Sequence, residues 1–116
     1  MNTREKGKNK EEMAERFLKK RGYKVVDRNY QKKVGEIDLI VKKDRTLVFV
    51  EVRSLKKGHI DPIETVNAKK RERIIKTARL FLMEHEEFEG YDVRFDVVGI
   101  LGDKINHIEN AFWEGI

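Results

Sequence analysis

Residues 34–53 read VGEIDLIVKKDRTLVFVEVR, and their reading decides the fold. Two runs rich in Val, Ile, Leu and Phe, residues 34–42 and 46–53, flank the polar connection KKDR, the pattern of two adjacent strands. Apart from a few charges, both faces of each run are apolar, which predicts a sheet covered on both sides. Yet Glu36, Asp38 and Glu51 lie among these apolar residues, and a lone carboxylate is costly to bury unless something neutralises it.

Alternation along a strand puts Val34, Glu36, Asp38 and Ile40 on one face and Ile37, Leu39 and Val41 on the other. On the next strand Leu47, Phe49, Glu51 and Arg53 share a face. A two-residue turn at Asp44-Arg45 sets Asp38 opposite Glu51 and Glu36 opposite Arg53; a four-residue loop, 42–45, sets Glu36 opposite Glu51. Either gathers the four charges on one face, whereas a three-residue loop separates the two pairs. Asp-Arg lacks the Gly or Asn that two-residue hairpins favour, so the register stays open. Carboxylates gathered in this way call for a cation, and Mg²⁺, which takes one or two carboxylates and completes its shell with water or phosphate oxygens, is the natural one. Such an ion can activate water against a phosphate, and Arg53 is placed to hold a phosphate oxygen. The competing reading is a structural ion pair of Arg53 with Glu36 or Glu51.

Outward from this stretch, Met13, Ala14, Phe17 and Leu18 form one helical stripe over about residues 10–21, with Gly22 as the C′ residue. YKVV, within residues 23–30, predicts a first strand. Residues 54–64 form a loop, and Thr65 is a candidate cap for a long helix reaching about Glu87, with Val66, Ile74, Ala78 and Leu82 on its buried side. YDVRFDVVGIL predicts a further strand, and KINHIENAF a short strand or cover. The expected architecture is a mixed α/β sheet: three sequential strands as a meander, then a helical crossover to a parallel strand, with helices on the faces. Residues 10–116 read as one domain and residues 1–9 as a flexible segment.

The chain has 116 residues, no cysteine, 26 Lys and Arg against 21 Asp and Glu, and a net charge of +5. The absence of cysteine rules out disulfides and thiolate metal sites. No run approaches the length of a membrane span, and MNTREKGKNKEE has no apolar segment of the kind a secretory signal needs, so a cytoplasmic protein with no membrane partner is expected. Residues 1–33 carry a net +7 and residues 53–79 a net +6, whereas residues 80–116 carry −7. Two basic segments therefore flank the acidic strands, and a polyanion could dock on them by counterion release. A solvated, charge-rich surface is the plainer account of the same numbers.

GEIDLI followed by FVEVR, with EEMAERFLKKRGYKVVDRNY before them and VNAKKRERIIKTARLFL and RFDVVGI after them, resembles the YraN family of nuclease-like proteins. That family is grouped with the PD-(D/E)XK, restriction-endonuclease-like superfamily and is related to the archaeal Holliday-junction resolvases. The resemblance implies an α-β-β-β-α-β core, one or two Mg²⁺ or Mn²⁺ ions, and endonuclease action on DNA, branched or damaged DNA included. It implies Asp38 and Glu51 as metal ligands, a first-helix glutamate at Glu11, with Glu15 as the alternative, and a role for Glu36. The position of the usual catalytic lysine falls on Arg53, which keeps a charge for phosphate but cannot act as a base. Lys56 or Lys57 could substitute, or metal-bound hydroxide could suffice. The rival expectation is a catalytically weak nucleic-acid-binding or partner-binding module that keeps the fold, and a purely structural domain is the third.

Lys69, Lys70, Arg71, Arg73 and Lys76 load the front of the long helix, and Lys70 and Arg73 share a side. With Lys32 and Lys33 they are the candidate phosphate contacts, each also explicable as a solvated helix or strand charge. His59, His85 and His107 lack ligand spacing for zinc. Phe112 and Trp113 are expected as core or interface anchors. A homodimer would suit a branched substrate, though no residue specifies one.

Overall fold

The connection KKDR resolves as a two-residue turn. Lys43 pairs with Thr46, and Asp44 takes a φ of +53°, a left-handed value that Asp tolerates better than most residues. Asp thus does what Gly or Asn usually does in such hairpins. The computed structural model describes residues 3–58 and 61–112, with side chains from residue 9 onward. Within it, helix α1 (Thr3–Lys20) precedes strands β1 (Lys24–Lys32), β2 (Gly35–Lys43) and β3 (Thr46–Ser54). A 3-10 turn (Pro62–Thr65) leads into helix α2 (Ala68–Glu84), and β4 (Asp92–Leu101) and β5 (Lys104–Phe112) complete the chain.

The five strands form one mixed sheet in the order β1-β2-β3-β4-β5. The first three make an antiparallel meander; α2 then crosses over, β4 pairs with β3 in parallel, and β5 returns antiparallel. One helix lies on each face. Ala14 and Leu18 of α1 pack on Leu39, Val41, Val48, Val50 and Val98; Ile74, Ala78 and Phe81 of α2 pack on Ile37, Ile40, Phe49 and Phe95. Both faces of the central strands are therefore covered, as their unbroken apolar runs require. Among the described residues no helix is long and apolar enough to cross a membrane.

Several local expectations shift. Helix α1 begins at Thr3, well before residue 10, because Lys and Glu continue a helix without needing an apolar stripe. It ends as expected: Gly22 has φ +94°, its N–H bonds Lys19 O, and the Tyr23 N–H bonds Leu18 O, the paired closure that glycine permits. The cap of α2 is Asn67, whose side chain accepts from the Lys70 N–H at 2.8 Å, and not Thr65. Helix α2 stops at Glu84, and a 3-10 turn (Glu86–Phe88) follows. Phe112 is a core residue stacked on Phe95; Trp113 and His59 lie outside the described residues.

The expected alternation of β2 needs a larger correction. Leu39 and Val41 face α1, but Ile37 joins Ile40 on the α2 side. The pleat slips by one residue at Asp38. Opposite it, Asn29 of β1 takes φ +50° in mid-strand, and the ladder runs from Arg28↔Leu39 to Tyr30↔Ile37 without the pair between them. Arg28 accordingly reaches Glu15 of α1, while Tyr30 packs on Phe81 of α2. Glu36, Asp38 and Ile40 therefore do not share one flat face.

A second irregularity falls in β4, where the register with β5 shifts between Phe95 and Val97. Asp96, fully buried, fills it by accepting from the Arg94 guanidinium at 2.8 and 2.9 Å, His107 Nε2 at 2.7 Å and the Asn110 N–H at 3.0 Å. Burial alone would raise the Asp96 carboxyl, but these bonds hold it below its ordinary value. Here a buried carboxylate has full compensation.

Candidate functional site

The carboxylates around Asp38 lack such compensation, and the sheet topology explains how they meet. β2 stays paired with β1 to Lys32↔Gly35, and β3 stays paired with β4 to Ser54↔Ile100, but the pairing of β2 with β3 ends at Leu39↔Val50. The sheet forks there. The Val52 N–H, left without a strand partner on this side, donates instead to Asp38 Oδ2 at 2.8 Å. Asp38 thus stands in the gap, where the pleat slip has turned it.

Glu51 reaches the gap from β3 on the α2 side and is 4% exposed. Burial, followed by the Asp38 carboxylate beside it, pushes its carboxyl up to about 8. Lys70 Nζ lies 3.8 Å from Glu51 Oε1 and pulls the other way, as does Arg53, but desolvation wins. Glu11 reaches Asp38 from α1 on the opposite face. Burial, the Asp38 charge, a hydrogen bond shared with Asp38, and the Glu36 charge together push it up to about 7. The amide of Asn29, turned with its nitrogen toward the carboxylate as the surrounding acceptors require, donates to both Glu11 oxygens at 3.2 Å. Glu11, Asn29 and Asp38 line a pocket of about 250 Å³.

The alternative first-helix acid is committed elsewhere. Glu15 pairs with Arg28 at 2.6 Å and Lys19 at 2.9 Å, and the Arg28 bonds hold its carboxyl down at about 2. Glu11, one turn earlier, is the helix acid that meets Asp38. Glu36 is half-buried on β2 within electrostatic reach of Glu11. Because Glu11 and Glu51 approach Asp38 from opposite faces, no three acidic or imidazole side chains among the described residues are set in a metal-binding geometry.

Arg53, whose charge reaches Glu51, is engaged by the turn that precedes α2. Its Nε donates to Thr65 Oγ1 at 3.1 Å and a terminal nitrogen to the Thr65 carbonyl at 2.9 Å, which ties the end of β3 to the 3-10 turn before α2. Lys32 is held by Glu84 at 2.9 Å. Lys33 in the β1–β2 turn lines a surface pocket with Arg73 and Lys76 of α2; Gly35 permits this close approach, since a Cβ there would meet Thr77 Oγ1 at 2.9 Å and the Arg73 carbonyl at 3.1 Å. Lys56, Lys57 and Lys69 are exposed. One participant, Asn29, and one contact, that of Lys70 with Glu51, escaped sequence reasoning. Asn29 reads as an ordinary polar strand residue, and its one signal is an Asn in mid-strand, the residue type that tolerates left-handed φ. Lys70 reads as one of several helix cations, with nothing in its spacing to single out Glu51 as its neighbour.

Comparison with known proteins places this geometry in a family. The model of the uncharacterised protein family UPF0102 matches residues 10–100. A UPF0102 protein of Sulfurihydrogenibium sp. (strain YO3AOP1) is 43% identical over 113 residues, covering 97% of each chain. One from Persephonella marina is 42% identical over 108 residues, 92% of each, and one from Thermotoga petrophila is 41% identical over 108 residues, 93% of this chain and 96% of its own.

Proposed function

This chain belongs to the uncharacterised protein family UPF0102, and since that membership fixes no reaction, we propose from the site that it is a metal-dependent endonuclease acting on DNA phosphodiester bonds. The observation that carries the reading is the sheet fork, where Glu11 from one face and Glu51 from the other meet Asp38, and where Lys70, 3.8 Å from Glu51, does not offset the burial of these acids. An acid-lined gap of this kind is unfavourable to the fold, and Asp96 illustrates how the same chain compensates a carboxylate when it serves structure alone.

The donor set fits Mg²⁺ or Mn²⁺: it is all carboxylate oxygen, with no Cys and no His at the fork. Burial and the Asp38 charge raise the carboxyls of both Glu11 and Glu51, and a divalent ion would relieve the same crowding of charge and displace a proton held there. Asp38 and Glu51 would hold it, with Glu11 on the other face of Asp38 and Glu36 nearby, and it would supply an activated water and charge neutralisation at the phosphate. The basic residues Lys33, Arg73 and Lys76 flank the fork along α2 and suit a nucleic-acid backbone. The arrangement α1-β1-β2-β3-α2-β4 agrees with the restriction-endonuclease-like core that the motifs imply.

One observation favours a second reading. Arg53 commits two of its nitrogens to Thr65, which suits a module that binds DNA and cuts weakly or not at all. The test is cleavage of branched, single-stranded and duplex DNA with Mg²⁺ or Mn²⁺, with Asp38→Ala alongside. Metal-dependent cutting that Asp38→Ala abolishes supports the enzyme. DNA binding without cutting supports the module, and neither binding nor cutting overturns both.

A further inference from the structure

We infer that Lys70 of α2, not the strand residue Arg53, is the cation that holds the scissile phosphate at this site. The inference rests on the metal-dependent nuclease reading and adds a residue to it.

The geometry runs through four residues. Arg53 spends Nε and a terminal nitrogen on Thr65. Thr65 in turn donates its hydroxyl to the Pro62 carbonyl at 2.6 Å, which makes the turn a fixed support for the start of α2. Two residues on, Asn67 caps α2 by accepting from the Lys70 N–H, so the backbone of Lys70 is pinned in the first helical turn. From there its ammonium extends to within 3.8 Å of Glu51 Oε1. Arg53 therefore builds the platform, and Lys70 delivers the charge.

The Lys70–Glu51 contact differs from a structural ion pair. At 3.8 Å it is longer than the charge-assisted hydrogen bonds elsewhere in the chain, such as Arg28–Glu15 at 2.6 Å. The Glu51 side chain is 5% exposed and that of Lys70 41%, so the pair joins a buried carboxylate to a solvent-accessible ammonium. An ion taken up by Glu51 and Asp38 would take over the charge of Glu51 and leave the accessible Lys70 ammonium for a non-bridging phosphate oxygen next to it. The first turn of a helix also contributes a positive end. In the hydrolysis, the water oxygen bonds to phosphorus as the bond to the sugar oxygen breaks. Water loses one proton and the leaving oxygen gains one. Lys70 neither gives nor takes a proton; it holds charge against charge.

Two substitutions test this. Lys70→Met should lower kcat by about 100-fold or more, the scale of removing one preorganised donor to a developing anion, while the protein still folds and still binds Mn²⁺. Lys70→Arg keeps the charge and should stay within about tenfold of the wild type with an unchanged pH profile. If Lys70→Met cuts as fast as the wild type, or only its KM for DNA changes, the assignment is overturned while the nuclease reading stands. If Lys70→Arg is as impaired as Lys70→Met although both fold and bind Mn²⁺, charge is not what Lys70 supplies, and the assignment again fails. If the wild type neither binds Mn²⁺ nor cuts, the nuclease reading falls and the Lys70 assignment falls with it.

Discussion

Replacing Glu51 by Gln should stabilise the metal-free protein at alkaline pH. In the unfolded chain this carboxyl titrates near its ordinary 4.5; in the fold, burial and then Asp38 hold it up at about 8. Between those values the folded state carries a proton that the unfolded state has lost. Stability contributed by that proton is complete below pH 4.5 and falls as pH rises through about 8, at up to about 1.4 kcal/mol per pH unit. Over the whole window this is at most about 5 kcal/mol, and sharing of the proton with Asp38 reduces it to about 2–4 kcal/mol. Gln keeps the volume and can still hydrogen-bond Asp38, but it has no proton to lose. Urea unfolding with a chelator, repeated from pH 5 to 9, reads the difference. Wild-type stability should decline across the window, whereas the variant should decline less, through Glu11, and exceed the wild type by about 2 kcal/mol at pH 8.5. Excess Mn²⁺ at pH 8 should raise the wild type by about 2.7 kcal/mol at a hundredfold over Kd and the variant by clearly less. Parallel pH curves, or a variant less stable than the wild type at pH 8.5, would refute the claim that burial beside Asp38 outweighs the Lys70 charge at Glu51.

Asp38→Ala removes the carboxylate that Glu11 and Glu51 share; calorimetry should find Mn²⁺ binding lost, with at least a tenfold weakening required for the reading to hold. Arg53→Lys gives up the paired bonds to Thr65 and should cost about 1–2 kcal/mol in chemical denaturation without raising cleavage; a faster enzyme would show the arginine to be an attenuated catalytic lysine. Gly35→Ala forces α2 away from β2 and should destabilise by about 1–3 kcal/mol while lowering kcat; unchanged kcat would mean that the spacing of α2 from the fork is immaterial. Replacing Lys33, Arg73 and Lys76 together by Gln should lower the slope of log binding constant against log salt by about 2–3 for duplex DNA, and an unchanged slope would remove this pocket from the DNA track.

Much of the fold is legible because its signals are local. Apolar runs covered on both faces, the Gly22 stop and the long α2 stripe specify a mixed sheet between two helices with little reference to anything distant. The β2–β3 register is legible only as a choice, since Asp-Arg is an uncommon pair in a two-residue turn and the left-handed φ of Asp44 is settled by the strands it joins. The ends of elements shift for similar reasons. Asn67 outcompetes Thr65 as a cap because Thr65 is already bonded to Arg53 and Pro62, a tertiary commitment that no local window contains.

The acids themselves were visible, but the means of bringing them together was not. Period-two alternation assumes an unbroken ladder, and on that assumption Glu36, Asp38, Glu51 and Arg53 fall on one face. The real assembly needs the ladder to fail twice at one point: β1 turns left-handed at Asn29, and β2 parts from β3 beyond Leu39. Each failure leaves backbone groups or side chains without their regular partners. Asp38 compensates one by accepting from Val52, and Asn29 turns its amide to Glu11. A strand pattern optimised for stability would keep the ladder closed, and this departure from it is the structural basis of the proposed site. The same logic separates Arg53 from Lys70. A sequence motif orders residues along a strand, whereas a site is ordered in space, and a helix crossing the open end of the fork can supply the cation that the strand has committed to holding that helix in place.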